Sequence, residues 1–472
     1  MKRMLLTVAL ILFYLVPAFS AEKQWTVMVF LNGDNDLDGF GTGDVNEMKK
    51  VGSTDQINIL VLQDHRGDNN TQRHFVKKNE LITEKVGEID MGDWKEALNF
   101  FQWGVASHPA QHYLFIIWNH GSGWKGRSGT LFKGISSDDQ SGNKISTVQL
   151  GELSTAMKQH LGRNVDIMGY DACLMGMFEV AHETMMDVDF MVFSEETEPL
   201  DGWPYDDFLG ILARDPYMSP EELSRTIVRI YNDSYNGGSQ GKQPSTLSAV
   251  DCVRMKEIIP GFKDFVDLLR NRPELAGTYQ SAAAQTQQFT VEQYKDLGDF
   301  LRHIKSSIPD QDIQKGAGEL VDRFFGSNPV VIASSSTGSA LAKASGLSIF
   351  IPDRTVFDLA KKRYSELSFC HATAWNMFLE DICYSSESFD DRSLLEIAAH
   401  MQSLEASLTA ESPARASHIR IEIEATIEFL SNSVLTLIRS GHPDPLADFP
   451  DDCRALELVR WNVRERMRQT GE

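Results

Sequence analysis

The chain has 472 residues and a formal net charge of −22, and hydrophobic residues make up 42% of it. This length allows one large domain with additions, or two domains, and the apolar content allows a sizeable core. The charge argues against nucleic acid as a partner, because a phosphate backbone needs clusters of Lys and Arg. It is compatible with a basic substrate, and equally with a general role in solubility.

The first residues predict a secretory signal peptide over 1–20. Lys2 and Arg3 precede an apolar run over residues 4–16, and small residues then precede Ala21 at the expected cut. The apolar run is too short for a comfortable membrane span. We therefore expect an exported protein, periplasmic or extracellular, with no membrane span after the signal is removed.

Strands and helices then alternate as far as about residue 203. The patterns predict strands at 25–31, 57–63, 113–118, 165–171 and 189–194, helices at 94–106, 147–161 and 175–186, and an antiparallel hairpin within 73–89. Such alternation is typical of a mostly parallel sheet with helices on both faces. The predicted fold class is an α/β three-layer sandwich.

The later part of the chain reads differently. Residues 204–327 are predicted mostly helical, and 330–334 and 346–351 are predicted as late strands that return to the sheet. After a polar linker, 385–472 repeats apolar residues at spacings of three and four, which predicts a C-terminal helical appendage. The main domain then covers 21–384. The appendage is either structural or a partner-binding element.

Two predicted strands end abruptly in chemically active side chains. One ends in Asn119-His120-Gly121, and the other ends in Asp171 and Cys173. Because parallel strands end at one edge of the sheet, imidazole and thiol are expected side by side there. An ordinary thiol, with a pKa of ~8.5, needs a base or a positive helix end to become a thiolate. We expect His120 as general base, Cys173 as nucleophile and a helix beginning just after Cys173.

Glycine after the histidine suits an oxyanion hole. Backbone N–H groups of Gly121 and Cys173 are predicted to hold the negative oxygen of the reacting carbonyl, since Gly121 has no side chain to obstruct approach. Taken singly, a Cys after a strand is more often a buried core thiol, and a His in a loop is more often a surface or structural group. Taken together, His120 and Cys173 lie 53 positions apart, close to the spacing of about 50 in caspases.

The chain resembles the clostripain family of cysteine peptidases. The matching motifs, besides Asn-His-Gly at 119–121, are Asn-Gly-Asp-Asn-Asp-Leu at 32–37, Gly-Tyr-Asp-Ala-Cys-Leu-Met-Gly at 169–176, Ser-Glu-Glu-Thr-Glu-Pro at 194–199, Gly-Trp-Pro-Tyr at 202–205 and Gly-Leu-Ser-Ile-Phe-Ile-Pro at 346–352. The likeness runs from about 24 to about 384. It implies a caspase–hemoglobinase fold and an endopeptidase that cuts after Arg or Lys with His120 and Cys173 as a dyad.

The resemblance also implies an acidic primary pocket, with Asp171 as the first candidate and Asp201 as the second. If the strand pattern persists, Asp171 and Cys173 project to the same side. A carboxylate there can receive a guanidinium through a charge-assisted bond. The alternative is that Asp171 caps the following helix.

The polar loop over 124–145 carries basic residues between the two catalytic strands. Exposed loops are where proteolytic nicking concentrates, so self-cleavage is predicted after Lys133 or Lys144. The alternative for the whole chain is an inactive exported binding or scaffold protein on the same fold. The intact Cys173, His120 and Gly121 argue against it.

No cofactor is predicted to be required. Calcium is possible, because the resembling family includes calcium-dependent members and carboxylates suit this ion. Turn-forming roles are the alternative for these carboxylates. The candidates are Asp34, Asp36, Asp38, Asp138 and Asp139.

Overall fold

The computed structural model describes residues 22–67, 69–124 and 134–384, and the isolated positions 427, 464 and 468. The predicted signal peptide, Lys133 and the predicted appendage over 385–472 lie outside the described residues. Within these described ranges, no helix is both long and apolar enough to cross a membrane.

The strands of the described ranges fall into one large sheet and two small ones. They are β1 (Lys23–Gly33), β2 (Ile57–His65), β3 (Thr71–Lys77), β4 (Glu80–Gly87), β5 (Ala110–Trp118), β6 (Val165–Asp171), β7 (Val188–Phe193), β8 (Asn236–Gly238), β9 (Gly241–Lys242), β10 (Ser245–Asp251), β11 (Tyr294–Asp296), β12 (Val331–Thr337) and β13 (Ser348–Phe350).

Helices connect most of these strands. They are α1 (Asp38–Val51), α2 (Trp94–Ser107), α3 (Thr147–Leu161), α4 (Phe178–Thr184), α5 (Tyr205–Arg214), α6 (Pro220–Tyr235), α7 (Cys252–Arg270), α8 (Ala276–Gln285), α9 (Leu297–Ser307), α10 (Gln311–Phe325), α11 (Arg354–Tyr364), α12 (Ser368–Thr373) and α13 (Trp375–Tyr384).

The large sheet has the strand order β12-β10-β7-β6-β5-β1-β2-β3-β4. Its centre, from β7 to β2, is parallel. The outer strands are antiparallel on both sides. The parallel centre matters for function because it brings the carboxyl ends of β1, β5 and β6 to one edge.

Side-chain alternation along the strands creates a core on each face of the sheet. In β1, Val27, Val29 and Leu31 pack into the core shared with α1, α5 and α6. Met28 and Phe30 point to the opposite core, shared with α2, α3, α4 and α7. Helices therefore cover both faces, which confirms the predicted three-layer sandwich with a mostly parallel sheet.

The region 204–327 is mostly helical, as predicted, and contains α5 to α10. The prediction missed β10 within it, whose residues are all buried between β7 and β12. The Ser-Thr-Leu-Ser-Ala-Val-Asp sequence of β10 has no apolar run, and its hydroxyl groups are buried with hydrogen-bond partners. Of the two late strands predicted to return to the large sheet, β12 does so, but the prediction was wrong for β13, which pairs with β11 in a separate two-stranded sheet.

Candidate active site

The ends of β5 and β6 lie side by side at the carboxyl edge of the sheet. Trp118 is in register with Asp171, and the N–H of Asn119 donates to the Asp171 carbonyl at 3.3 Å. The next residues along each chain bring His120 and Cys173 to the same edge. The juxtaposition that the strand pattern predicts is therefore present in the backbone.

Cys173 sits in a sharp turn and not at the start of a helix. Leu174 has a φ of 64°, a left-handed conformation that costs a bulky residue roughly 1–3 kcal/mol. Its N–H donates to the Glu196 carbonyl at 3.1 Å, and the N–H of Gly176 donates to the Ser194 carbonyl at 2.7 Å. The segment after β7 thus holds the turn in place.

The helix predicted from residue 175 begins only at Phe178 and ends at Thr184. Phe178 lies five positions after Cys173, so Cys173 does not belong to the first turn of the helix. The effect of a helix terminus falls off within one turn. The expectation that the positive end of this helix acts on the sulfur stays a prediction.

The sulfur of Cys173 is partly buried against the Glu198 backbone. The N–H of Glu198 donates to Sγ at 3.3 Å, and Sγ lies 3.9 Å from the Glu198 carbonyl oxygen. Burial raises the pKa of the Cys173 thiol above its ordinary value, and the negative charge of Glu196 adds to this. The thiol of Cys173 is therefore harder to ionise than an ordinary cysteine thiol.

The imidazole of His120 faces a carboxylate. Its Nε2 lies 2.6 Å from Asp36 Oδ1, and the two side chains are 44% and 73% exposed. Partial burial opposes ionisation of Asp36, but the hydrogen bond and charge of His120 outweigh it and hold the pKa of Asp36 below its ordinary value. Among the described residues, no hydrogen bond joins this imidazole to Sγ of Cys173, so the predicted proton transfer between them requires the two side chains to approach each other.

Gly121 packs directly against the backbone of Cys173. A Cβ on Gly121 would lie 2.3 Å from the Cys173 carbonyl oxygen and 3.1 Å from the Cys173 nitrogen. Only glycine allows this approach without displacement of the nucleophile turn. The two backbone N–H groups assigned to the oxyanion hole thus belong to segments in close contact.

Asp171 is buried and lies among aromatic residues. Its Oδ2 accepts hydrogen bonds from the Tyr205 hydroxyl at 2.9 Å and from the Trp203 N–H at 3.3 Å. Burial raises its pKa to about 6. The groups that donate hydrogen bonds to the Asp171 carboxylate lie at and just before the start of α5. Asp171 therefore does not cap α4, which was the alternative.

A second carboxyl, which the sequence analysis missed, lies beside Asp171. Glu198 is partly exposed as a residue, but both of its carboxyl oxygens are buried, and neither has a well-formed hydrogen bond within the described residues. Burial and the neighbouring Asp171 raise the pKa of Glu198 well above its ordinary value. Glu198 belongs to the motif at 194–199. The sequence pattern of this motif does not indicate that the Glu198 carboxyl group is buried.

Asp44 of α1 is a third acidic group, and the sequence gave no hint of it. Its Oδ2 accepts a hydrogen bond from the Trp118 indole at 2.6 Å. Burial and the charge of Asp171 raise the pKa of Asp44 well above its ordinary value. Asp44, Asp171 and Glu198 together form what we call the acidic pocket.

Asp201 differs from these three groups because it is exposed. The next residue, Gly202, has a φ of 58°, and a Cβ there would lie 3.2 Å from Asp171 Oδ1. Gly202 therefore packs closely against the Asp171 carboxylate, and a side chain at this position would crowd it. Asp201 is the exposed neighbour of this contact, whereas Asp171 is buried.

The acidic turn residues considered for calcium are already hydrogen-bonded to the protein. Asp34 accepts from the Gln140 N–H at 2.9 Å, and Asp138 accepts from the N–H groups of Ser141 and Met91 at 2.8 and 3.0 Å. No group of three or more metal-ligating side chains occurs in the part of the chain that the structure describes. Because backbone N–H groups donate to these carboxylates, a turn-forming role fits Asp34 and Asp138 better than a calcium site. Calcium dependence stays a prediction.

Comparisons with known proteins agree with the motifs. The model of the clostripain family matches residues 29–382. Clostripain from Hathewaya histolytica is 28% identical over 192 residues, which are 34% of this chain and 36% of that protein. This chain thus spans about a third of the length of that curated relative.

Solved structures support the fold. A secreted C11 cysteine protease from Bacteroides thetaiotaomicron, in complex with an irreversible peptide inhibitor, has a TM-score of 0.57 at 19% identity and covers 75% of this chain and 99% of its own. An inactive zymogen C11 protease from Parabacteroides distasonis has a TM-score of 0.56 at 16% identity, with coverage of 75% and 98%. At such identities the similarity establishes the architecture.

Proposed function

Because this chain belongs to the clostripain family of cysteine endopeptidases, we propose that it cuts peptide bonds after Arg or Lys through Cys173 and His120. The observation that carries the proposal is the acidic pocket beside the nucleophile. Glu198 touches the sulfur with its backbone, and its carboxyl faces Asp171. A buried set of carboxyl groups next to a nucleophile suits a cationic side chain of the substrate.

The proposed reaction proceeds through an acyl-enzyme. The thiol proton of Cys173 passes to His120 as Sγ bonds to the scissile carbonyl carbon, and the N–H groups of Gly121 and Cys173 stabilise the oxyanion. His120 then gives the proton to the departing amine as the C–N bond breaks. Water attacks the thioester as His120 takes one of its protons, and His120 returns that proton to the sulfur as the C–S bond breaks, which releases the new carboxyl group and restores the thiol. No step needs calcium.

The acidic pocket supports the proposed preference for a basic side chain over a neutral one. The empty pocket retains protons, because buried carboxyl groups lie close together. A guanidinium or ammonium entering it replaces those protons and forms charge-assisted bonds worth roughly 1.5–3 kcal/mol each. Arg has the advantage over Lys if two carboxyl oxygens meet its planar fork.

Export to the periplasm or the extracellular space is part of the proposal. It rests on the basic, apolar and small-residue pattern at 1–20, which lies outside the described residues. An exported enzyme of this kind meets protein and peptide substrates that contain basic residues. Cell fractionation with an antibody against the chain tests this, and a protein found entirely inside the cell would contradict it.

Self-cleavage is proposed within 124–145, after Lys133 or Lys144. The bond after Lys144 leads into Ile145, which is buried and exchanges two hydrogen bonds of 2.9 Å with Ile135. The bond after Lys133 leads into Gly134, which is buried as well. N-terminal sequencing should find a new terminus after one of the two lysines, and replacement of that lysine by Ala should abolish it. An uncut, fully active single chain would show that processing is unnecessary.

A panel of fluorogenic peptides tests the proposed specificity. The peptides differ only in an Arg, Lys, Asn or Asp before the scissile bond. We expect kcat/KM for Arg and Lys to exceed that for Asn and Asp by at least about tenfold, in line with one charge-assisted bond. A folded protein that cuts none of the four peptides would favour the inactive scaffold instead.

A further inference from the structure

We propose that Asp36 is a positioning residue for His120. The proposed site then has three residues, Cys173, His120 and Asp36. The Asp36 carboxylate accepts a hydrogen bond from Nε2–H and thereby leaves Nδ1 as the nitrogen that exchanges protons with the thiol and the departing amine. The contact of 2.6 Å between Nε2 and Oδ1 carries this inference. It rests on the proposed catalytic role of His120.

The turn that bears Asp36 is folded by side chains on either side of it. Asn32 Oδ1 accepts from the Asp34 N–H at 3.1 Å, and Asn35 Oδ1 accepts from the Leu37 N–H at 2.9 Å. Two successive side-chain turns of this kind fix the backbone locally. Asp36 itself is left exposed, so its side chain serves no packing role.

The same turn is tied to the strand end that bears His120. Asn119 Nδ2 donates to the Asn32 carbonyl at 2.7 Å, and Asn119 Oδ1 accepts from the Ser137 N–H at 2.9 Å. Asn35 Nδ2 donates to the carbonyl of Ser137 at 3.0 Å. Hydrogen bonds thus hold together the two backbone segments that bear Asp36 and His120. These bonds keep the two side chains close to each other.

The negative charge of Asp36 supports a proton on Nε2 of His120, which leaves Nδ1 free to exchange a proton with the thiol. Asp36 stays ionised beside His120 and in the field of Arg66, and Arg66 also lies 3.8 Å from Asp139. Nδ1 takes the thiol proton as the Sγ–C bond forms and gives it to the amine as the C–N bond breaks. The Nε2 proton remains in its bond to Asp36 throughout, so the carboxylate stabilises the imidazolium without being protonated.

The chain contains a matched control two residues further on. Asp38 Oδ1 lies 2.5 Å from Nδ1 of His65, and its side chain is 34% exposed. This second Asp–His pair lies on neighbouring segments but has no part in the proposed reaction. Asp38→Ala therefore removes the same charge and a similar contact from the same region of the surface.

The test compares Asp36→Ala, Asp36→Asn and Asp38→Ala on two arginine substrates, an amide with a poor leaving group and an ester with a good one. The amine must be protonated as it leaves, whereas the ester needs little help. General acid–base catalysis contributes about 10²–10⁴-fold. As a part of that, Asp36→Ala should lower amide kcat/KM by about ten- to a hundredfold. Ester kcat/KM should fall by a clearly smaller factor, because the ester still needs His120 to take the thiol proton but not to protonate the leaving group.

Asp36→Asn should recover part of the amide activity, since its oxygen still accepts from Nε2–H, and Asp38→Ala should keep both activities. Full amide activity in Asp36→Ala would overturn the inference, as would an equal loss on amide and ester. Activity retained in His120→Ala would instead overturn the proposed mechanism. The two failures are therefore distinguishable.

Discussion

The ends of β5 and β6 are adjacent, but their side chains occupy opposite environments. His120 is half exposed and bonded to the exposed carboxylate of Asp36. Cys173 is covered by the Glu198 backbone and lies next to the buried carboxyl groups of Asp171 and Glu198. The end of β5 is open to water and carries the ionised Asp36 carboxylate beside His120. The end of β6 is more buried, and the pKa values of Asp171, Cys173 and Glu198 are raised there.

The difference reflects two demands on the same site. Recognition of a cation is strongest where water is excluded, because charge interactions weaken in water. The same exclusion raises the pKa of the thiol and so makes the nucleophile harder to ionise until a base approaches. The open side can supply that base and accept the leaving amine. Substitutions on each side should therefore give different kinetic signatures.

The largest effect should follow from removal of either reacting group. In the proposed mechanism, no other group at the sheet edge replaces the thiol that Cys173→Ala removes. No other group there replaces the imidazole that His120→Ala removes. Each substitution should lower kcat by at least about a thousandfold, while circular dichroism shows an intact fold. Full turnover by Cys173→Ala would remove the proposed mechanism altogether.

The next effect separates the buried carboxylate from the exposed one. Asp171→Asn should lower kcat/KM for Arg and Lys peptides by about ten- to a hundredfold, the equivalent of a charge-assisted bond of ~1.5–3 kcal/mol. Asp201→Asn should lower it by less than about fivefold, because exposed charges contribute roughly 0–1 kcal/mol. Labelling of Cys173 by a small neutral alkylating agent serves as the control and should change little in Asp171→Asn. Equal losses for the two variants would contradict the assignment of the pocket.

The smallest effect is a pH dependence in the unchanged enzyme. The raised pKa of Asp171, about 6, means that its ionised form predominates only above that pH. Since kcat/KM reports groups of the free enzyme, its value for an Arg peptide should fall up to about tenfold per pH unit below pH 6. In Asp171→Asn this acid limb should flatten. An unchanged acid limb in the variant would assign it to another group.

The sequence allowed the sheet edge and the position of His120 and Cys173 on it to be predicted, because apolar runs that end in a polar group are local patterns. It did not allow the pocket to be predicted in full. Asp44 comes from α1 and Glu198 from the segment after β7, and only packing brings them to Asp171. β10 was missed because its hydroxyl-rich sequence carries no apolar run. The start of α4 was misplaced because the left-handed Leu174 interrupts an otherwise helical pattern.

The most direct test of the central claim, a nucleophilic Cys173 beside a pocket for basic side chains, is mass spectrometry after reaction with thiol-reactive peptides. Two peptide electrophiles are compared, one ending in Arg and one in Asp. The account predicts one adduct, on Cys173, formed at least about ten times faster with the Arg peptide, and none on Cys252, Cys370, Cys383 or Cys453. Equal rates for both peptides, or an Arg adduct on any other cysteine, would contradict it.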